Sequence, residues 1–135
     1  MLFRSAARAF AFGAGRPIVP IVSHDAIALG ITEPTLVVTD ARRREVYWSA
    51  YSGSDAEGLP VRVGAPGLAR PDDLADAVSG YEGYRRLEAQ FVSAASLGLL
   101  AEGLFLHGRP FAGDDALYLR SPDVTLSAGP KRVTT

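Results

Sequence analysis

The hydrophobic and polar positions divide the chain into short segments of two different periods. Phe3, Ala7, Phe10 and Ala14 recur at helical spacing, and Gly13, Gly15 and Pro17 supply a usual helix stop. Ile18–Val22 is a brief apolar run that reads as a strand, with Pro20 restricting it to an edge. Ser23 stands as the N-cap of a short helix over SHDAIALG, and ITEP leads into the first long strand. Leu36–Thr39 and Val46–Tyr51 then form a hairpin around DARRRE. In its second strand Val46, Trp48 and Ala50 share one face while Tyr47, Ser49 and Tyr51 share the other. One of those faces must bury Trp48.

Beyond the hairpin the signals weaken. GSDAEG is a polar loop and Leu59–Gly64 a third strand. ARPDDLADAVSG reads as a short helix opened by Pro71, with Asp72 and Asp73 in its first turn and Gly80 closing it. YEGYRRLEAQ carries no clear β pattern. Phe91–Gly108 is an apolar helix rich in small residues. Its Gly98 and Gly103 each cost about 1 kcal/mol relative to Ala, so packing must compensate. His107 sits where a cation suits the helix dipole. A short extended piece, Ala116–Arg120, precedes a polar end expected to be mobile. Strands and helices in this order place the chain in the α/β class.

Composition narrows the function classes more than the fold. A chain of 135 residues, 47% apolar and 21% charged, is one ordinary domain's worth. A formal net charge of -1 argues against coating nucleic acid non-specifically, so any basic function must be local. The absence of cysteine excludes disulfides and thiolate metal sites and suits a reducing cytoplasm. No run approaches the ~20 apolar residues that cross a bilayer. Arg4 and Arg8 precede an apolar stretch as in a targeting segment, but Ala9–Ala14 is shorter than the ~7–15 residues of a signal core, so no membrane role is expected.

Candidate chemistry is sparse. The Gly-Ala-Gly at Gly13–Gly15 has no Lys-Ser/Thr after it and no strand before it, so it ends a helix rather than cradling a phosphate. His24 and His107 are too far apart in sequence to suggest a metal site, and no cofactor motif is present. Asp72/Asp73 and Asp114/Asp115 are adjacent pairs whose side chains diverge, which suits caps and turns better than acid–base work. No serine lies in a Gly-x-Ser-x-Gly elbow, and no catalytic residue is assigned. The three arginines Arg42, Arg43 and Arg44 can hold phosphate oxygens, with Tyr47 or Tyr51 stacking on a base. Asp40 and Glu45 flank them and can pair with them, so a solvated hairpin tip is the first physical reading.

DARRREVYWSAY also resembles the Asp-Ala-Arg-x-x-Glu-Val-Tyr-Trp hairpin of the TsaB (YeaZ) family, the dimerisation subunits of the bacterial tRNA threonylcarbamoyladenosine machinery. The matching residues are Asp40, Ala41, Arg42, Glu45, Val46, Tyr47 and Trp48; Arg44 stands where many members have Gly. ARAFAFGAGRPIVPIVSHDAIA is similar to the family's helix–strand–helix passage. ALYLRSPD is similar to its C-terminal Pro-x-Tyr-Leu-Arg segment through Tyr118, Leu119 and Arg120, with Ala116 in place of proline. The resemblance implies an RNase-H-like lobe of an actin-like (ASKHA) fold: a mixed sheet with an N-terminal hairpin and packing helices. The family's first strand and its Gly-Pro-Gly-Ser-Phe-Thr-Gly-like loop have no counterpart here. Residues 1–34 are thus expected to be a remnant of the inter-lobe region and 35–135 the C-terminal lobe, with a mobile tail from about 124, the N-terminal lobe being largely absent. A strand and helix between Gly80 and Phe91 are expected to be shortened or missing. The implied role is a non-catalytic, cytoplasmic accessory subunit supporting the catalytic threonylcarbamoyltransferase (TsaD-like) subunit. A homodimer and an indirect link to tRNA also follow from the resemblance. Two other readings stand beside it: a small RNA- or protein-binding module using the arginine turn, and a glycoprotease-like peptidase.

Overall fold

The computed structural model describes residues 2–113, 115 and 117–120. Its elements, in chain order, are helix α1 (Leu2–Gly13), helix α2 (Ser23–Ile27), strands β1 (Thr35–Asp40), β2 (Val46–Ser54) and β3 (Pro60–Ala69), helix α3 (Leu74–Ala77), strand β4 (Arg85–Glu88) and helix α4 (Ala94–Leu106). Single 3-10 turns at Pro71–Asp73 and Tyr81–Gly83 flank α3.

β1 is central because TLVV is apolar or β-branched on both faces, the pattern of a strand covered twice. The sheet order is β3-β2-β1-β4. β1 and β2 pair antiparallel from Thr35↔Tyr51 to Asp40↔Val46, and β4 joins the other side of β1 in parallel, Val37 facing Leu87. A parallel neighbour cannot be reached by a tight turn, so the chain crosses through α3 on the way. Leu36, Val38 and Ala50 bury one face against Leu74 and Val78, with Trp48, Tyr81 and Tyr84 at the margin. Val37 and Tyr51 bury the opposite face against Ala28, Ile27, Ile31 and Leu87. A third cluster, Ala26, Leu59 and Leu100, joins α2 to α4. The described part is thus a four-stranded mixed sheet with helices, the α/β class expected.

Several expectations need correction. Ile18–Val22 forms no strand; Pro17 and Pro20 lack the N–H groups a ladder requires, and the segment runs as irregular chain. Ser23 is the first residue of α2 rather than its cap, a place taken by Val22 with no side-chain bond. β3 continues past Gly64 to Ala69, carrying Pro66 on an edge strand where a missing donor is tolerated. Its pairing shifts between Trp48 and Ala50, a bulge that realigns the strand so that Gly67 lies opposite Trp48. The helix over ARPDDLADAVSG shrinks to the 3-10 turn and α3, and Gly80 follows in the left-handed conformation. The strand expected to be shortened or missing after Gly80 is present as the four-residue β4: Arg85, Arg86 and Glu88 are exposed, so only Leu87 marks an inward face. The apolar helix starts at Ala94, where the Ser93 hydroxyl accepts from the Ser96 N–H at 3.3 Å, and Gly103 lets it meet the Leu59 side chain. His107 is its C-cap. Asp114, Ala116 and the tail from about 124 lie outside the described residues.

Candidate functional site

The hairpin tip is a tight, backbone-strained loop. Arg42, Arg43 and Arg44 all have positive φ, at 64°, 55° and 61°. Consecutive left-handed non-glycine residues are rare, because each costs roughly 1–2 kcal/mol from its Cβ. The surroundings over-determine the shape. Asp40 Oδ1 accepts the Arg42 N–H at 2.8 Å, the Glu45 N–H donates to the Arg42 carbonyl at 3.0 Å, and the Ala41 N–H donates to the Glu45 carbonyl at 3.0 Å. Ala41 is buried, while all three arginines are exposed.

The two flanking acids do different work. Asp40 lies 3.7 Å from Arg42 Nε in an exposed pair. Glu45 is paired with Arg120, a residue 75 positions away, whose guanidinium also approaches the Arg42 carbonyl at 3.4 Å. The hairpin and the Tyr118-Leu119-Arg120 segment therefore meet in space. Tyr118 is exposed, and Leu119 faces a cleft. Val46 and Trp48 are half-buried on the α3 side, Trp48 with its Nε1 buried and unpaired among the described residues. Tyr47 projects to the opposite face, into the same cleft.

That cleft, about 810 Å³, separates α1 from the end of the sheet. Arg4 and Arg8 of α1 line it together with Arg42, Tyr47 and Phe91. Asp40 and Asp115 add carboxylates. Its lining includes His24, which has no role assigned from the sequence. Buried on α2, it places Nδ1 2.7 Å from Ser49 Oγ and Nε2 2.8 Å from Thr39 Oγ1.

Arg62 pairs with Asp25 at 3.1 Å, so Asp25 is an acceptor and Tyr51 donates to it at 2.6 Å. The Ser49 and Thr39 hydroxyls can each donate or accept, so both His24 nitrogens are satisfied in either neutral tautomer. Burial first, and the Arg62 charge second, push His24 down to about 4; burial and the Asp25 charge raise Tyr51. Chemically this is a locked, neutral imidazole. Ser49 and His24 stand together as the hydroxyl and base of a catalytic triad would, yet Ser49 is fully buried and the carboxylate of Asp25 serves Tyr51 instead. A base with so low a pKa takes a proton poorly at neutral pH. The signal for this network was the period-two alternation that put Ser49 and Tyr51 on one face; nothing in the local sequence tied α2 to them.

No protein-family model matches the chain. An uncharacterized protein of Mycobacterium leprae (strain TN) is 41% identical over 68 residues, which is 50% of this chain and 17% of that protein. An uncharacterized protein of Mycobacterium tuberculosis (strain ATCC 25618 / H37Rv) is 49% identical over 47 residues, 35% of this chain and 22% of that one. The chain thus spans about a fifth of the length of these curated relatives. Two solved structures from Pseudomonas aeruginosa are similar in fold. One, described as an uncharacterized protein with similarity to peptidase YEAZ, superposes with a TM-score of 0.59 at 22% identity, over 87% of this chain and 65% of its own. The other, YeaZ, gives 0.55 at 20% identity, over 78% and 59%. The shared feature is the fold, a mixed sheet and helices consistent with part of an actin-like, RNase-H-like lobe.

Proposed function

We propose that the chain acts as a non-catalytic accessory lobe in tRNA N6-threonylcarbamoyladenosine modification, engaging the threonylcarbamoyltransferase (TsaD-like) catalytic subunit and, alternatively, a second copy of itself. The observation that carries this reading is the fold likeness to YeaZ over 78% of the chain and to a YeaZ-similar protein over 87%, with the family-like residues Glu45 and Arg120 joined in one ion pair. An adhesive surface accompanies it. On α1, Phe10 and Phe12 are 79% and 90% exposed, and on α4 Leu99, Phe105 and Leu106 are exposed too. Large apolar side chains left uncovered in this way suit docking to another protein. The locked His24 disfavours the peptidase alternative, since neither Ser49 nor its base is free to react.

Size-exclusion chromatography of the chain, alone and mixed with the transferase subunit from the same organism, tests the reading. A shared, earlier-eluting peak is expected. Separate peaks from two folded proteins would refute it.

A further inference from the structure

We infer that the outward face of α4 docks a cationic amphipathic helix of a protein partner, with apolar side chains on Leu99, Phe105 and Leu106 and lysines or arginines on the carboxylates beside them. This rests on the accessory role and adds to it the chemistry of the partner's docking segment.

The composition of α4 poses the question. Within Ala94–Leu106 the single charged residue is Glu102. Leu100 is buried, and Leu97 and Leu104 pack with it against Ala26 and Leu59, which accounts for the inward arc of the helix. A helix covered on one side is ordinarily polar on the other. Here Leu99, Phe105 and Leu106 are instead 60%, 72% and 70% exposed. Ala95, Gly98 and Glu102 are exposed beside them. Counted from Ala95, these positions fall at i, i+3, i+4, i+7 and one turn beyond, the spacing of a face that meets another helix. A Cβ on Gly98 would have nothing within 4 Å, so an incoming side chain can reach the helix backbone there.

Charge selects what covers this face. Glu102 lies at its middle and has no ion-pair partner among the described residues. The loop between β2 and β3 borders one edge: a Cβ on Gly103 would lie 2.9 Å from the Leu59 side chain, and Gly103 is four residues after Leu99 and three before Leu106. That loop carries Asp55 and Glu57, which share Arg109 at 2.6 and 3.1 Å. Beside the apolar stripe, Asp55, Glu57 and Glu102 thus stand against Arg109 alone. Such an edge repels anionic lipid and nucleic acid, and a second copy of α4 would bring like charges together. A helix with an apolar stripe and flanking cations satisfies both the stripe and the acids.

Fluorescence anisotropy against the full chain tests the inference, with a labelled leucine–lysine peptide of roughly 18 residues, five helical turns with leucine on one face. Saturable binding is expected, at least about tenfold tighter than that of a scrambled-order peptide or of a leucine–glutamate peptide. Leu99→Gln and Phe105→Gln each weaken it about tenfold, and Glu102→Gln about threefold, the scale of an exposed ion pair. These side chains are exposed, and thermal melts establish that each variant is folded. Val63→Gln, an exposed position on β3, leaves the affinity unchanged. Equal binding of the scrambled or glutamate peptide, an unaltered affinity in Phe105→Gln, or an equal loss in Val63→Gln would each overturn the site. Co-sedimentation with phosphatidylglycerol vesicles, or a dimer that Phe105→Gln dissolves, would assign the face to lipid or to a second copy and overturn it too. Chromatography with the transferase separates the two readings. Co-elution that persists in Phe105→Gln refutes this inference alone, and peptide binding without co-elution refutes the accessory role alone.

Discussion

His24 holds α2 to the sheet through one hydroxyl at each ring nitrogen, and its burial makes that attachment pH-dependent. The folded chain keeps its pKa at about 4, against 6.5 for an ordinary histidine. An unfolded chain therefore takes up this proton more readily. The stabilisation is complete above about pH 6.5 and is lost as pH falls toward 4, a change of at most on the order of 3 kcal/mol. Urea melts between pH 7 and 4.5 should show stability falling with acid, and His24→Gln should flatten that dependence; equal slopes in the two proteins would contradict it. A second residue-scale prediction concerns Arg44. Its φ of 61° suits glycine, so Arg44→Gly should stabilise the chain by about 0.5–1 kcal/mol after the added freedom of the unfolded chain is subtracted. A lower denaturation midpoint would mean that the arginine side chain, not the backbone, dominates at that site.

At the scale of elements, the bulge in β3 decides how Trp48 packs. A Cβ on Gly67 would lie 2.5 Å from the Trp48 ring, so the indole rests on bare backbone of the neighbouring strand. Gly67→Ala should cost about 1–3 kcal/mol, and much less in a Trp48→Ala background, where the ring is gone. Additive losses in that cycle would place the clash elsewhere. The hairpin was legible because both strands are rich in β-branched and aromatic residues and a short charged turn separates them. β4 was not, because three of its four side chains face water and its place is fixed by β1 rather than by its own pattern. Pro20 misled in the opposite direction: the apolar run around it is real, but its chain lines a cleft instead of joining a ladder. The arginine turn was visible as composition. Its left-handed backbone was not, since three successive positive φ values at arginine follow from the closing bonds of Asp40, Glu45 and Arg120 and from no local preference.

Across the whole molecule, stability is unevenly distributed, and the uneven part is where partners are proposed. β1 and β2 are buried on both faces, whereas α1 is exposed at every residue from Ser5 to Phe10 and again at Phe12. None of the described side chains of α1 is fully buried, with Arg4 and Ala11 half-buried, and a 12-residue helix so exposed is marginal in water, since nucleation outweighs so few hydrogen bonds. Amide exchange should therefore be fast throughout α1, with little protection beyond fraying, while Leu36–Val38 and Ser49–Tyr51 exchange only on global unfolding. If α1 is a docking element for the transferase subunit, adding that subunit should slow exchange at Ala7–Phe12 and leave the sheet amides where they were. Strong protection of α1 in the isolated chain would instead mean that the helix is already covered, by a second copy or by the chain itself, and dilution would tell these apart: only the contact between copies weakens as concentration falls.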